Sequence, residues 1–283
     1  MSRLKPTLRR RVNMPGPLAR LSGERTIRGM QAPTPPPKSI RRAAGRAIAD
    51  YRMIASGDRI LLGLSGGKDS LTLLHVLLYL QRHAPVAFEL ASVTIDPLTT
   101  GFDPSPLTAY ARSLGVPHWH IREPIVELAQ QHMSNDSYCA FCARMRRGLI
   151  YRTAREHGYN VVALGQHLDD LAESFLMSAL RGGRLQTMKA HYRIEAGDLR
   201  LIRPLVYLRE RQARDFAQTA GLPIIQDNCP ACFRAPSERD RMKQLLSAEE
   251  QANPRVFKSL LAAMQPLMAA GELDADSPAN RSR

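Results

Sequence analysis

The chain has 283 residues, a formal net charge of +14 and an apolar fraction of 44%. Such a length carries one large α/β domain with a small appendage, and such a charge suits a polyanionic partner, because clustered Lys and Arg release counterions condensed on phosphates. No apolar run approaches the roughly 18 residues that cross a bilayer and no apolar signal segment follows the start, so a soluble, cytoplasmic protein with no membrane partner is expected.

Residues 1–38 are rich in Arg and Pro, poor in acids and end in three prolines, which reads as a disordered basic arm. A mitochondrial presequence shares that composition, but the prolines break an amphipathic helix. SIRRAAGRAIADYRMIA (39–55) has helical periodicity behind an N-cap serine. RILLGL (59–64) reads as a buried strand, LTLLHVLLYLQ (71–81) as a helix and FELASVTID (88–96) as a second strand. A helix near 105–114 and a strand at 116–121 follow. ARMRRGLIYRTAREHG (143–158) reads as a basic helix, NVVALG (160–165) as a strand and LDDLAESFLMSALRGG (168–183) as a helix. Alternating strands and helices predict a Rossmann-like parallel sheet covered on both faces. Residues 201–225 hold a strand-like piece and a helix, and helices are expected near 237–249 and 254–269. The expected organisation is an arm at 1–38, the α/β domain at 39–233, a small C-terminal helical extension at 234–272 and a frayed tail at 273–283.

The most informative stretch is Ser65-Gly66-Gly67-Lys68-Asp69-Ser70, between the first strand and its helix. Open α/β sheets bind ligands at such a turn. Glycines admit close backbone approach, successive N–H groups at a helix start favour an anion, and a lysine adds a point charge for phosphate. A Walker A loop would need Gly where Leu62 stands and Ser or Thr where Asp69 stands.

Four cysteines form two C-x-x-C pairs, Cys139/Cys142 and Cys229/Cys232. Without a signal segment such pairs indicate a structural zinc, a dithiol redox site or an iron–sulfur cluster, and spacing does not choose between zinc and cluster. Asp169 and Asp170 open a helix, where negative charge complements the dipole. Asp96 closes a strand beside the glycine loop, as a turn former or a ligand for ribose, adenine or metal. Arg144, Arg146 and Arg147 form a basic helix face. His118, Trp119, His120 and the methionines read as packing residues.

Ser65–Ser70 after a strand resembles the PP-loop of the N-type ATP pyrophosphatases, enzymes that cleave ATP between its α and β phosphates and adenylate an oxygen. That resemblance implies ATP binding through Ser65, Gly66, Gly67, Lys68 and Ser70, with Asp69 helping to hold Mg²⁺. The order of further motifs is similar to the tRNA 2-thiocytidine synthetase (TtcA) family over roughly residues 45–265: a C-x-x-C, then R-x-R-R-G-x-x-Y-R, a strand with L-G-x-H-x-D-D, I-R-P-L and a second C-x-x-C. The family carries a 4Fe-4S cluster on three cysteines, which here implies Cys139, Cys142 and Cys229, with Cys232 as a spare thiol or alternative ligand. Gly165 and Asp96 join the ATP site on this resemblance, Asp169 becomes an acid/base or magnesium-side carboxylate, and Lys68 and Arg146 become catalytic. Arg144, Arg147, Arg181 and Arg184 become tRNA phosphate contacts. Gln166 stands where the family has histidine.

The implied activity is ATP-dependent thiolation of tRNA: adenylation of the C2 oxygen of cytidine 32 in the anticodon loop, then its replacement by sulfur. The implied partners are tRNA and a sulfur donor, a cysteine desulfurase persulfide or sulfide, with room for a homodimer. Two rivals use the same features: a lysidine-synthetase-like tRNA ligase, which needs no cluster, and a zinc-stabilised RNA-binding protein.

Overall fold

A computed structural model describes residues 32–132, 138–225 and 237–269. Most of the expected basic arm, the expected tail and the pair Cys229/Cys232 lie outside the described residues. Six strands form one sheet: β1 Asp58–Gly63, β2 Phe88–Asp96, β3 His118–Arg122, β4 Val161–Ala163, β5 His191–Arg193 and β6 Arg200–Ile202. Their order is β3-β2-β1-β4-β6-β5, parallel throughout except for β5, which pairs antiparallel with β6. The described helices are α1 Lys38–Asp50, α2 Lys68–His83, α3 Ser105–Ser113, α4 Ile125–His132, α5 Tyr138–Glu156, α6 Leu168–Gly182, α7 Glu210–Thr219, α8 Glu238–Ala252 and α9 Val256–Met268. None is long and apolar enough to cross a membrane.

The central strands are apolar on both sides because both faces are covered. Along β1, Ile60 and Leu62 enter the core shared with α1, α2, α6, α7 and α9, while Leu61 enters the opposite core with Ile125 of α4 and Leu149, Ile150 and Ala154 of α5. Val161 and Ala163 of β4 repeat the first side and Val162 the second. Removing each such aliphatic side chain from water contributes about 1.5–3 kcal/mol.

This topology positions the site. β1 pairs with β2 on one side and β4 on the other, so the chain winds away from β1 in both directions. The loops leaving the carboxyl ends of β1 and β4 are therefore neighbours, with a crevice between them. Three features depart from the sequence reading. α5 starts at Tyr138, so Cys139 and Cys142 lie on the helix rather than before it. α4 lies between β3 and α5, where the sequence reading placed no helix. β5 is an antiparallel edge strand of only 3 residues, too short to show a period.

Candidate active site

Ser65–Ser70 turns from β1 into α2 with Gly66 at φ +87°, a left-handed conformation that glycine adopts without strain. A Cβ on Gly66 would also stand 3.0 Å from Ile225 Cβ. Ile225 donates its N–H to the Gly66 carbonyl at 2.9 Å, tying the chain ahead of the second cysteine pair to the loop. Ser70 Oγ donates to the Gly67 carbonyl at 2.9 Å and lies 3.2 Å from Ser65 Oγ, so both hydroxyls are held at the helix start. The first N–H groups of α2 have no partner within the helix, which makes this end an anion cradle.

The β4–α6 loop closes on this cradle. A Cβ on Gly165 would lie 3.0 Å from both Asp69 C and Ser70 N, backbone atoms with nowhere to go. We therefore expect Gly165→Ala to separate the two loops and destabilise the fold by about 1–3 kcal/mol, read as a lower thermal midpoint. His167 then caps α6: its ring Nδ1 accepts from the Asp170 backbone N–H at 3.3 Å, and the His167 backbone N–H donates to Asp170 Oδ2 at 2.9 Å.

Between these loops lies a cavity of about 560 Å³, within the range of small-molecule sites. Ser65, Asp69 and Ser70 line it from the glycine loop, Gly165, Gln166 and Asp170 from the neighbouring loop and helix, and Cys142, Arg146 and Arg147 from α5. Of the sequence-predicted residues, these are the ones that the fold brings together. Two cavity arginines escaped the sequence reading: Arg203, just after β6, and Arg239, on α8. The first sits in the quoted I-R-P-L segment, where a cation closing an apolar strand was the available signal. Arg239 gave none.

Asp69 is the carboxylate with spare capacity. Its Oδ2 accepts from Lys68 Nζ at 3.1 Å, but its Oδ1 is buried without a hydrogen bond, 3.6 Å from His167 Nε2. Burial raises the Asp69 carboxyl above its ordinary value against the lowering pull of His167 and Lys68. A hard divalent cation carried by phosphates fits this orphaned oxygen. Lys68 itself is clamped between Asp69 and Glu210, at 3.1 and 3.0 Å. Burial alone would lower its ammonium, yet those two carboxylates outweigh it and hold the pKa above the ordinary value. Glu210 is raised by burial but pulled down further by Lys243 and Lys68, to about 2.

Asp169 does not line the cavity: its carboxylate accepts from Arg209 Nε and Nη2 and from the Glu210 N–H at 2.7 Å, so it anchors the start of α7. Asp170 lines the cavity instead and pairs with Arg239, which also donates to Glu173 at 2.6 Å. The helical offset decides this, because successive residues point about 100° apart. Asp96 is likewise not among the residues that line the cavity. It is buried, accepts from the Leu98 N–H at 2.9 Å, and faces His120 and Arg122 of β3 at 3.3 and 3.6 Å. Arg144 is exposed outside the cavity; Arg181, paired with Glu238, and Arg184 are exposed as well. Cys142 is half-buried against the cavity, and Cys139 lies one turn earlier on α5.

A family model described as a PP-loop domain matches residues 38–249. A tRNA-cytidine(32) 2-sulfurtransferase of Geobacter sulfurreducens is 42% identical over 229 residues, which is 80% of this chain and 89% of that protein. One from Vibrio cholerae is 39% identical over 230 residues, 81% of this chain and 74% of that protein. The solved U34-tRNA thiolase NcsA from Methanococcus maripaludis, with its 4Fe-4S cluster, superposes with a TM-score of 0.67 at 20% identity, covering 82% of this chain and 78% of that chain. The last likeness is one of fold, whereas the first two extend over most of the sequence. The chain belongs to the PP-loop family and, within it, to the tRNA-cytidine(32) 2-sulfurtransferases.

Proposed function

We propose that this protein thiolates tRNA in an ATP-dependent reaction that converts cytidine 32 of the anticodon loop to 2-thiocytidine. One observation carries the reading: the glycine loop, Cys142 and a group of arginines line a single cavity, in a chain 42% identical to a tRNA-cytidine(32) 2-sulfurtransferase.

The chemistry sets the roles. The C2 oxygen of cytosine is a poor leaving group, so it first attacks the α-phosphorus of ATP and expels pyrophosphate. Sulfur then adds at C2 and the oxygen departs with AMP. In this reading Ser65, Gly66, Gly67 and Ser70 cradle the pyrophosphate with the α2 N–H groups. Asp69 holds Mg²⁺, whose charge would offset that of the phosphates. Lys68 and Arg146 stabilise charge that develops as pyrophosphate leaves. Arg144, Arg147, Arg181 and Arg184 meet tRNA phosphates, and the target base is unstacked to reach the cavity. Cys139, Cys142 and Cys229, with Cys232 as the alternative, would hold a 4Fe-4S cluster; the half-buried Cys142 side chain against the cavity fits a thiolate ligand. When bound, such a cluster would supply the site that presents sulfur to the base. A persulfide or sulfide donor would supply the sulfur consumed in each turnover.

The test is nucleoside mass spectrometry of bulk tRNA from a strain lacking the gene. We expect 2-thiocytidine to vanish, to return with the wild-type gene and to stay absent with Cys142→Ala. Its persistence in the deletion strain would overturn the reading. Loss of a different nucleoside would move the substrate while leaving the adenylation chemistry in place.

A further inference from the structure

Gln166 and Arg203 form a fixed pair on the cavity wall. Arg203 is 4% exposed. Its Nε–H donates to Gln166 Oε1 at 2.9 Å, its Nη1 donates to the Lys189 carbonyl at 2.5 Å, and its guanidinium lies 5.6 Å from the Tyr192 ring centroid. The guanidinium is thus locked by neighbours on three sides. An arginine carries only donors, so the group facing its Nε–H must be an oxygen. This fixes the amide of Gln166: the carbonyl end points to Arg203, and the NH₂ end is left for the cavity that Gln166 lines.

We infer that Gln166 is a substrate-contacting residue whose amide NH₂, oriented by Arg203, donates a hydrogen bond to an acceptor oxygen of the bound substrate. The inference rests on the function proposed above for the identity of that substrate. The acceptor is either a phosphoryl oxygen of ATP or the carbonyl oxygen of the base, and both demand a donor here. Arg203 acts through Gln166 as a positioning residue. An amide suits this task because it does not titrate. A histidine could also accept from Arg203 through one ring nitrogen and donate through the other, but only while neutral.

Gln166→Glu is the discriminating variant. It keeps an oxygen for Arg203, hence the local structure, but replaces the cavity-facing donor with an acceptor. Two quantities are read on anaerobically purified full-length protein: affinity for α,β-methylene-ATP with Mg²⁺, and kcat/KM for thiolation of tRNA. Losing a hydrogen bond of this kind predicts a fall of about 10- to 100-fold. A fall in nucleotide affinity identifies the phosphoryl oxygen as acceptor. A fall in kcat/KM at unchanged nucleotide affinity identifies the base. Unchanged values in both overturn the inference. If the wild-type protein thiolates no tRNA, the functional reading fails, and nucleotide affinity alone decides the inference.

Should Gln166→Glu not fold, Gln166→His decides through its pH profile. The charged groups facing that position are Asp69 of α2, Arg146 and Arg147 of α5, Asp170 of α6, Arg203 after β6 and Arg239 of α8. Four cations against two anions disfavour an imidazolium, so the ring stays neutral down to below the ordinary value of about 6.5. The ratio of activity at pH 8 to activity at pH 5.5 should then exceed the wild-type ratio, by less than the roughly tenfold that an imidazole of ordinary pKa would give. An identical ratio would overturn the inference.

Discussion

Asp69→Asn is expected to abolish most of the activity without lowering the stability of the nucleotide-free protein. The two effects separate because the Asp69 charge is a liability in the empty cavity. Burial raises this carboxyl above its ordinary value, and Lys68 and His167 only partly offset that. An acid whose folded pKa is raised adds stability below its unfolded pKa and loses it as the pH rises through the folded value. At neutral pH the ionised Asp69 therefore opposes folding, and an asparagine of the same shape removes that cost while still accepting from Lys68. The measurement is a pair of thermal midpoints. Without nucleotide the variant should melt at or above the wild-type temperature. With Mg²⁺ and ATP the wild type should gain stability by mass action and the variant much less. Turnover should fall by about 10²- to 10³-fold. The wild-type kcat/KM, which reports the free protein, should also decline on the acid side at a higher pH than an ordinary carboxylate gives, since the ionised form is the active one. A variant that keeps wild-type turnover would remove Asp69 from the metal site.

Asp169→Ala should do the opposite, costing stability first. Its carboxylate accepts from Arg209 twice over and from the Glu210 N–H at 2.7 Å, and it is only 12% exposed. Removing it leaves that N–H unpaired at the start of α7 and strips Arg209 of one of its two carboxylates; Glu250 keeps the other at 2.7 Å. The expected loss is about 2–4 kcal/mol, or a fall of roughly 5–12 °C in midpoint for a domain of this size. Turnover measured well below the new midpoint should drop by less than about tenfold, where removing a true general acid or base predicts 10²-fold or more. A large loss of turnover at an unchanged midpoint would return Asp169 to the catalytic machinery.

The paired outcome bears on how α7 and α8 serve the site. Glu210 of α7 clamps Lys68 and is itself held by Lys243 of α8 at 2.8 Å, while Arg239 of α8 reaches Asp170. These bonds connect the C-terminal helices to the glycine loop through charged side chains. The matched family region, which ends at residue 249, takes in most of α8.

Much of this protein was legible in its sequence, for identifiable reasons. β1, α2 and β2 were readable because a strand buried on both faces is continuously apolar and its helix carries an uninterrupted apolar face. Ser65–Ser70 was readable because the chemistry of an anion cradle dictates residue types within one short segment, and short segments survive as patterns. The cysteine pairs were conspicuous for the same reason. Features that depend on distant segments were not readable. β5 is defined by its partner β6 rather than by a period of its own. Which of Asp169 and Asp170 faces the cavity depends on Arg209 and Arg239, which are 40 and 69 residues away along the chain. The direction of the Gln166 amide depends on Arg203, 37 residues further on. The sequence by itself determined the central strands and the glycine loop, which are set by local composition and spacing, and its motif order carried the resemblance to the family. Only the tertiary structure decided which carboxylate faces the cavity, which arginines line it and which end of an amide is free, because a side chain's role follows from the partner that occupies its polar atoms.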